Sequence, residues 1–200
     1  MSYAIVGFGK IGQALAHAFA RKNMDVTVAS RRMPEELEPQ ARAIGPKVVA
    51  KSLQEALKAD TIFLAIPFGE HRDVAMELPS WEGKTIIDAM NSFPVPPEEL
   101  DGLPSSAFVA KSFPGAKLVK GFNHLGAAKL ATDPEVEGGH RVVFLSSDDD
   151  DAVAPVADLV KELGFAPVKL GKLNEGGWLV HARGRFWGQL IFQDLFKKQQ

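Results

Sequence analysis

The chain has 200 residues, 46% of them hydrophobic and 24% charged, with a formal net charge of −2 and no cysteine. These are the values of an ordinary globular chain with one domain and room for a small appendage, and they exclude a disulfide framework and thiolate metal sites. A nearly balanced charge exerts no long-range pull toward nucleic acid or an anionic membrane, so neither is expected as a partner.

The opening M-S-Y-A-I-V-G-F-G-K lacks a basic leader, and no apolar run approaches the roughly 20 residues needed to span a bilayer, so a soluble cytoplasmic protein is expected. Residues 3–7 form a short apolar run ending in glycine, which predicts a strand. Ile11, Ala14, Leu15, Ala18 and Phe19 then recur at helical spacing up to Arg21, with His17 among them as a structural residue. Residues 25–30 return to a β-rich run. Pro34, Pro39 and Pro46 interrupt the polar stretch that follows, leaving room for a short helix at best. Val48–Ala50 reads as a short strand, and Ser52 with Glu55 has the capping-box spacing of a helix start.

Further strands are predicted at Thr61–Ile66, closed by Pro67, and at Thr85–Ala89, with a helix over Val74–Leu78 between them. A proline-rich loop over 91–104 leads to a helical turn at Ser105–Lys111 and a strand at Lys117–Phe122. After Gly126 a linker-like stretch precedes a strand (Arg141–Leu145), a helix (Asp150–Leu163) and a strand (Phe165–Leu170). The run S-S-D-D-D-D lacks the glycine and terminal glutamate of a calcium loop and reads as a helix start, with carboxylates at the positive end of the dipole. No metal site is expected. Apolar strands alternating with helices predict an α/β fold, a doubly wound, mostly parallel sheet covered on both faces. The division expected is a nucleotide-binding domain over 1–135 and a small C-terminal α/β extension over 136–200.

Gly7-Phe8-Gly9-Lys10-Ile11-Gly12 matches G-x-G-x-x-G and lies between the first strand and the first helix, the context in which that pattern binds a dinucleotide. Gly7 permits the tight turn, Gly9 lets backbone approach a pyrophosphate, and Gly12 lets the helix pack close to the strand. The helix N-terminus supplies amide donors and partial positive charge. About 20 residues on, an NAD-binding fold ends its second strand on a carboxylate that bonds the ribose 2′-hydroxyl. Here that place is held by Ser30, Arg31 and Arg32. A carboxylate would repel a 2′-phosphate, whereas guanidinium forks and a hydroxyl attract it, so NADP(H) is the expected cofactor. Later strand ends should reach the same crevice: Ile66 and Pro67 after one strand, and Asn91 after another, with His71 poised between a cofactor contact and an exposed helix position. Asp88 reads as a turn former rather than a catalytic group.

G-F-G-K-I-G, V-A-S-R-R, I-P-F, I-I-D-A-M-N and K-L-V-K-G-F-N-H-L-G-A together resemble the coenzyme F420-dependent NADP oxidoreductases, whose cofactor domain is shared by a class of membrane metalloreductases. The likeness is good over about residues 1–130. It implies that Gly9, Ser30 and Arg31 contact the cofactor and that Phe122 and Asn123 border the nicotinamide. His124, a third nicotinamide-side candidate, stands where the family usually has threonine. It further implies direct hydride transfer to a stacked deazaflavin, in which positioning supplies much of the rate and neither a nucleophile nor a strong base is required.

The acceptor's own site is weakly marked. Trp178, Phe186 and Trp187 with His181, Arg183 and Arg185 could wall a planar anion such as F420 or a flavin, or could pack a terminal helix. The apolar run Phe186–Phe196 also suggests a homodimer contact. Three readings follow: an NADP(H)-dependent oxidoreductase acting on a small planar acceptor, a non-catalytic NADP(H) sensor, and a hydroxyacid or imine reductase. The last ranks third because those families carry a long helical second domain, for which the roughly 60 residues left here are too few.

Overall fold

Short apolar runs separated by glycine-, proline- and asparagine-containing turns become the strands of one sheet. The computed structural model describes residues 1–93 and 95–182 and the backbone of 196–197. Strands β1 (Tyr3–Val6), β2 (Val26–Ala29), β3 (Val48–Ala50), β4 (Thr61–Leu64), β5 (Thr85–Asp88) and β6 (Lys117–Lys120) form a six-stranded sheet in the order β3-β2-β1-β4-β5-β6. Every pair is parallel, with Val6 in register with Ala29 on one side and Leu64 on the other. The order reverses between β1 and β4, which opens a crevice beyond their carboxyl ends.

Side-chain alternation feeds two cores. Phe63 of β4 points to the face covered by α1 (Lys10–Arg21) and α7 (Asp150–Glu162), with Leu15, Phe19, Leu159 and Phe165. Ile62 and Leu64 point to the opposite face, with Leu57, Trp81, Val109 and Phe113. That face carries α3 (Leu53–Ala56), α4 (His71–Met76) and α5 (Ser105–Ala110). The doubly wound α/β expectation is met. After β6, strands β9 (Val142–Leu145) and β10 (Ala166–Lys169) pair in parallel around α7, and a Lys120–Ser146 bridge joins this unit to β6. Asp149 caps α7, its Oδ1 accepting from the Asp151 amide at 3.0 Å, so the acidic run is a helix start. Ser52 and Glu55 form the expected capping box on α3.

Several expectations need correction. The proline-broken stretch is an 11-residue helix, α2 (Pro34–Ile44). Pro34 sits at its first turn, where an N–H is superfluous. Pro39 removes one amide from the second turn, yet Leu37 and Ala41 bury one face and Glu38 pairs with Arg42, so tertiary packing holds the helix. The stretch after Gly126 contains a short helix, α6 (Ala127–Ala131), packed on α1, and a hairpin of β7 (Glu135–Val136) and β8 (Gly139–His140). His17 is exposed on the outer face of α1, so it has no part in the core.

A single helical turn, α8 (Gly176–Leu179), follows β10. Most of the expected helix over Phe186–Phe196, and with it the dimer contact, lies outside the described residues, as do Arg183, Arg185, Phe186 and Trp187. Phe196 and Lys197 are not helical but form β11, antiparallel to β8. No helix among the described residues is long and apolar enough to cross a membrane.

Candidate functional site

The glycine turn is shaped by close packing. Gly7 has φ +100°, and its amide donates to the Ala29 carbonyl at 2.8 Å, tying the turn to the end of β2. A β-carbon on Gly12 would stand 1.8 Å from the Gly7 oxygen, so the helix can approach the strand only without one. Gly9 is different, because nothing lies within 4 Å of where its β-carbon would be. Gly9 is also the N-cap of α1 and has no side chain to satisfy the first amides, and the first turn holds no acidic residue. Those amides and the dipole therefore face the crevice with no partner among the described residues. Gln13 braces the turn by donating from Nε2 to the Phe8 carbonyl at 3.0 Å, a contact invisible in the sequence pattern.

A cleft of about 400 Å³ opens here, with Gly7, Phe8, Gly9, Ser30, Arg31 and Arg32 on one side and Ile66, Pro67 and Glu70 on another. The two motifs singled out in the sequence thus meet in one cavity. Lys10, exposed at the start of α1, is not part of that lining. Ser30 Oγ accepts from the Arg32 amide at 3.1 Å, which fixes the turn after β2. Arg31 is largely exposed and donates to Glu70 Oε1 at 2.6 Å across the cleft. Glu70, Asp73 and Glu77 give the α4 side a negative character, opposite the arginines. Arg32 has no ion-pair partner among the described residues.

A second cavity of about 200 Å³ adjoins the cleft, sharing Ala65 and Ile66, and is lined by Ile11, Met90, Asn91 and Asn123. Asn91 donates to the Asn123 carbonyl at 3.0 Å, and Asn123 Nδ2 donates to Asn91 Oδ1 at 2.9 Å and to the Val180 carbonyl at 2.6 Å. With its amide nitrogen committed, Asn123 Oδ1 remains buried and without a partner among the described residues. An acceptor so placed is open to a donor from water or from a ligand.

Behind this cavity lies a polar cluster that sequence reasoning missed. Asp88 Oδ1 accepts from the Met90 amide at 2.9 Å, so Asp88 is indeed a turn former. Its Oδ2 accepts from Ser106 Oγ at 2.6 Å and from Lys120 Nζ at 3.2 Å, and Lys120 also donates to the Met90 carbonyl. Both side chains are buried, at 0% and 2% exposure. Burial lowers the Lys120 ammonium from the usual lysine range, and the Asp88 carboxylate opposes that shift. The pair therefore clamps both backbone groups of Met90, one residue before Asn91.

Phe122 and His124, the other two nicotinamide-side candidates, line neither of these cavities. Phe122 has φ +66° and is fully buried, its ring in the core 5.7 Å from Phe63 and 5.9 Å from Phe165. That rare backbone geometry turns the ring inward and leaves Asn123 to the cavity. His124 is buried against Phe144, with Nε2–H donating to the Val142 carbonyl at 3.0 Å. His71 is also buried, and lines neither of these cavities. His181 accepts from the Ser105 amide at 3.2 Å and packs against Trp178, a structural arrangement.

Burial lowers the His124 pKa to about 4, opposed by the Val142 hydrogen bond and reinforced by the Lys120 charge. An unfolded chain therefore binds more protons than the folded one between about pH 6.5 and 4. Stability from this group is complete above that window and is lost as pH falls through it, by up to roughly 1.4 kcal/mol per pH unit. His181, lowered by burial and by Lys120, acts in the same sense. Urea midpoints at pH 7.5 and 4.5 should fall further for the wild type than for His124→Gln; equal falls would contradict the assignment.

The family model described as "NADP oxidoreductase coenzyme F420-dependent" matches residues 2–92. The hypothetical protein SMa0349 from Sinorhizobium meliloti is 38% identical with a TM-score of 0.90, the match covering 100% of this chain and 96% of that one. A candidate F420-dependent NADP reductase from Arthrobacter sp. FB24 shares the fold at 24% identity and a TM-score of 0.73, over 100% of both chains. Metalloreductase STEAP3 of Rattus norvegicus is 28% identical over 173 residues, 84% of this chain and 33% of that protein. The chain thus spans about a third of the length of the curated relatives it matches.

Proposed function

We propose that this chain, whose residues 2–92 match the family model of coenzyme F420-dependent NADP oxidoreductases, binds NADP(H) across the two adjoining cavities and exchanges a hydride with a small planar acceptor of the deazaflavin or flavin class. The observation that carries this reading is the meeting of the glycine turn with Ser30, Arg31 and Arg32 in one cleft. The residues fit the cofactor: Gly9 leaves open space beside unpaired helix amides, and Asn123 offers a buried, unsatisfied acceptor.

In this reading the α1 N-terminus and the backbone of Gly7–Gly9 hold the pyrophosphate. Arg31 exchanges its Glu70 partner for the 2′-phosphate, a small cost because exposed ion pairs contribute little. Arg32 and Ser30 complete the clamp. Ile66 and Pro67 form the floor beneath the ribose and ring. Asn123 Oδ1 accepts from the carboxamide, and Asn91 keeps that side chain fixed. The bound nicotinamide supplies the hydride. No side chain lining the second cavity has to move a proton, so the protein's contribution is orientation and exclusion of water.

The test is turnover. NADPH absorbance should decay on addition of F420 or a flavin, and only slowly with NADH in its place. Tight NADPH binding without decay, across deazaflavins, flavins, quinones and ferric chelates, would favour a sensor and reject the enzyme.

A further inference from the structure

On the far side of the segment that carries Pro67 and Glu70 lies a third cavity, of about 190 Å³. Its walls include Phe68, His71, Val95, Leu100 and Phe108 with the charged Arg72 and Glu99, and it shares no lining residue with the dinucleotide cavities. Phe68 and Phe108 lie 6.2 Å apart, inclined by 32°, and His71 stands nearly perpendicular to Phe108 at 6.1 Å. Arg72 rests over the Phe108 ring, 5.3 Å from its centroid, with Lys111 at 6.0 Å.

His71 is only 2% exposed, and its Nδ1 is directed at the Phe68 carbonyl. A carbonyl can only accept, so the proton of the neutral ring resides on Nδ1 and Nε2 carries the lone pair. That Nε2 is buried without a hydrogen-bond partner among the described residues. A cavity of about 150 Å³ already admits a benzene ring.

We propose that this cavity is a second ligand site, for a single planar ring bearing a hydroxyl or N–H donor, the phenol class. The ring packs against the edges and faces that Phe68 and Phe108 turn to the cavity, and its donor is accepted by His71 Nε2. The site is separate from the dinucleotide cleft and holds whether or not the chain is an F420 enzyme.

Phenol and toluene, of similar size and differing in the donor, separate this proposal from simple apolar filling. In the full chain with ¹⁵N-labelled histidine, phenol should saturate with a shift of the His71 Nε2 resonance and bind at least about fivefold more tightly than toluene, on the scale of one hydrogen bond. His71→Leu should abolish that preference while leaving NADPH affinity unchanged, which also reports an intact fold. NADPH affinity of the wild type should be the same with phenol present. The proposal is overturned if neither ring binds, if toluene binds as well as phenol, if the preference survives in His71→Leu, or if phenol displaces NADPH. Should His71→Leu fail to fold, the wild-type histidine spectrum and the phenol–toluene ratio decide the matter.

Discussion

Replacing Lys120 with methionine should lower the free energy of unfolding by about 3–5 kcal/mol, measured from urea midpoints. The variant leaves Asp88 fully buried with its charge uncompensated, holding only the Ser106 hydroxyl and the Met90 amide. It also strips the Met90 carbonyl of its donor. Removing both partners, as Lys120→Met with Asp88→Leu, should cost less than Lys120→Met alone, because two desolvated charges disappear together. The double variant should nonetheless bind NADPH less well than the wild type. Without the clamp, Met90 loses its fixed position, and Asn91 and Asn123 follow it. A single-variant loss below about 1 kcal/mol would show that the buried pair contributes little to the fold.

The second large effect distinguishes two glycines of one motif. Gly12→Ala should cost about 3 kcal/mol or more in stability, since its β-carbon would overlap the Gly7 oxygen and carbon, which are backbone and cannot rotate away. Gly9→Ala should be nearly neutral for folding, because φ −80° suits any residue and the space beside it is open. Yet Gly9→Ala should weaken NADPH binding by roughly 10- to 100-fold, the scale of lost charge-assisted hydrogen bonds, as the methyl group fills the approach to the helix amides. Thermal unfolding and calorimetry on both variants separate the two roles. Unchanged affinity in Gly9→Ala would mean that no ligand approaches the turn at that point.

The parallel sheet was legible because its strands are apolar runs between breakers, and parallel strands buried on both faces must look that way. The cleft was legible for a related reason: the glycine turn and the Ser30–Arg32 turn end neighbouring strands, so topology alone brings them together. What escaped was decided by partners far along the chain. Helix α2 survives two prolines because Leu37 and Ala41 find α1, which no local pattern announces. Asp88 and Lys120, 32 residues apart, read as a turn former and a strand residue until β5 and β6 lie side by side. Phe122 looked like a ring for the cofactor site, and its positive φ turns it into the core instead. Glu70, the partner of Arg31, arrives from a different βα turn across the switch point. His124, where the resemblance leads one to expect threonine, proves to be a buried packing residue bonded to β9.

The central claim is that cations after β2 select the dinucleotide bearing a 2′-phosphate, and calorimetry of NADPH and NADH against the wild type, Arg31→Ala/Arg32→Ala and Glu70→Gln tests it most directly. The account predicts that the wild type prefers NADPH, that the double alanine variant loses at least about tenfold for NADPH with NADH within about threefold of the wild type, and that Glu70→Gln strengthens NADPH binding a few-fold by freeing Arg31. A wild type that favours NADH, or a double variant that loses both dinucleotides equally, would contradict it.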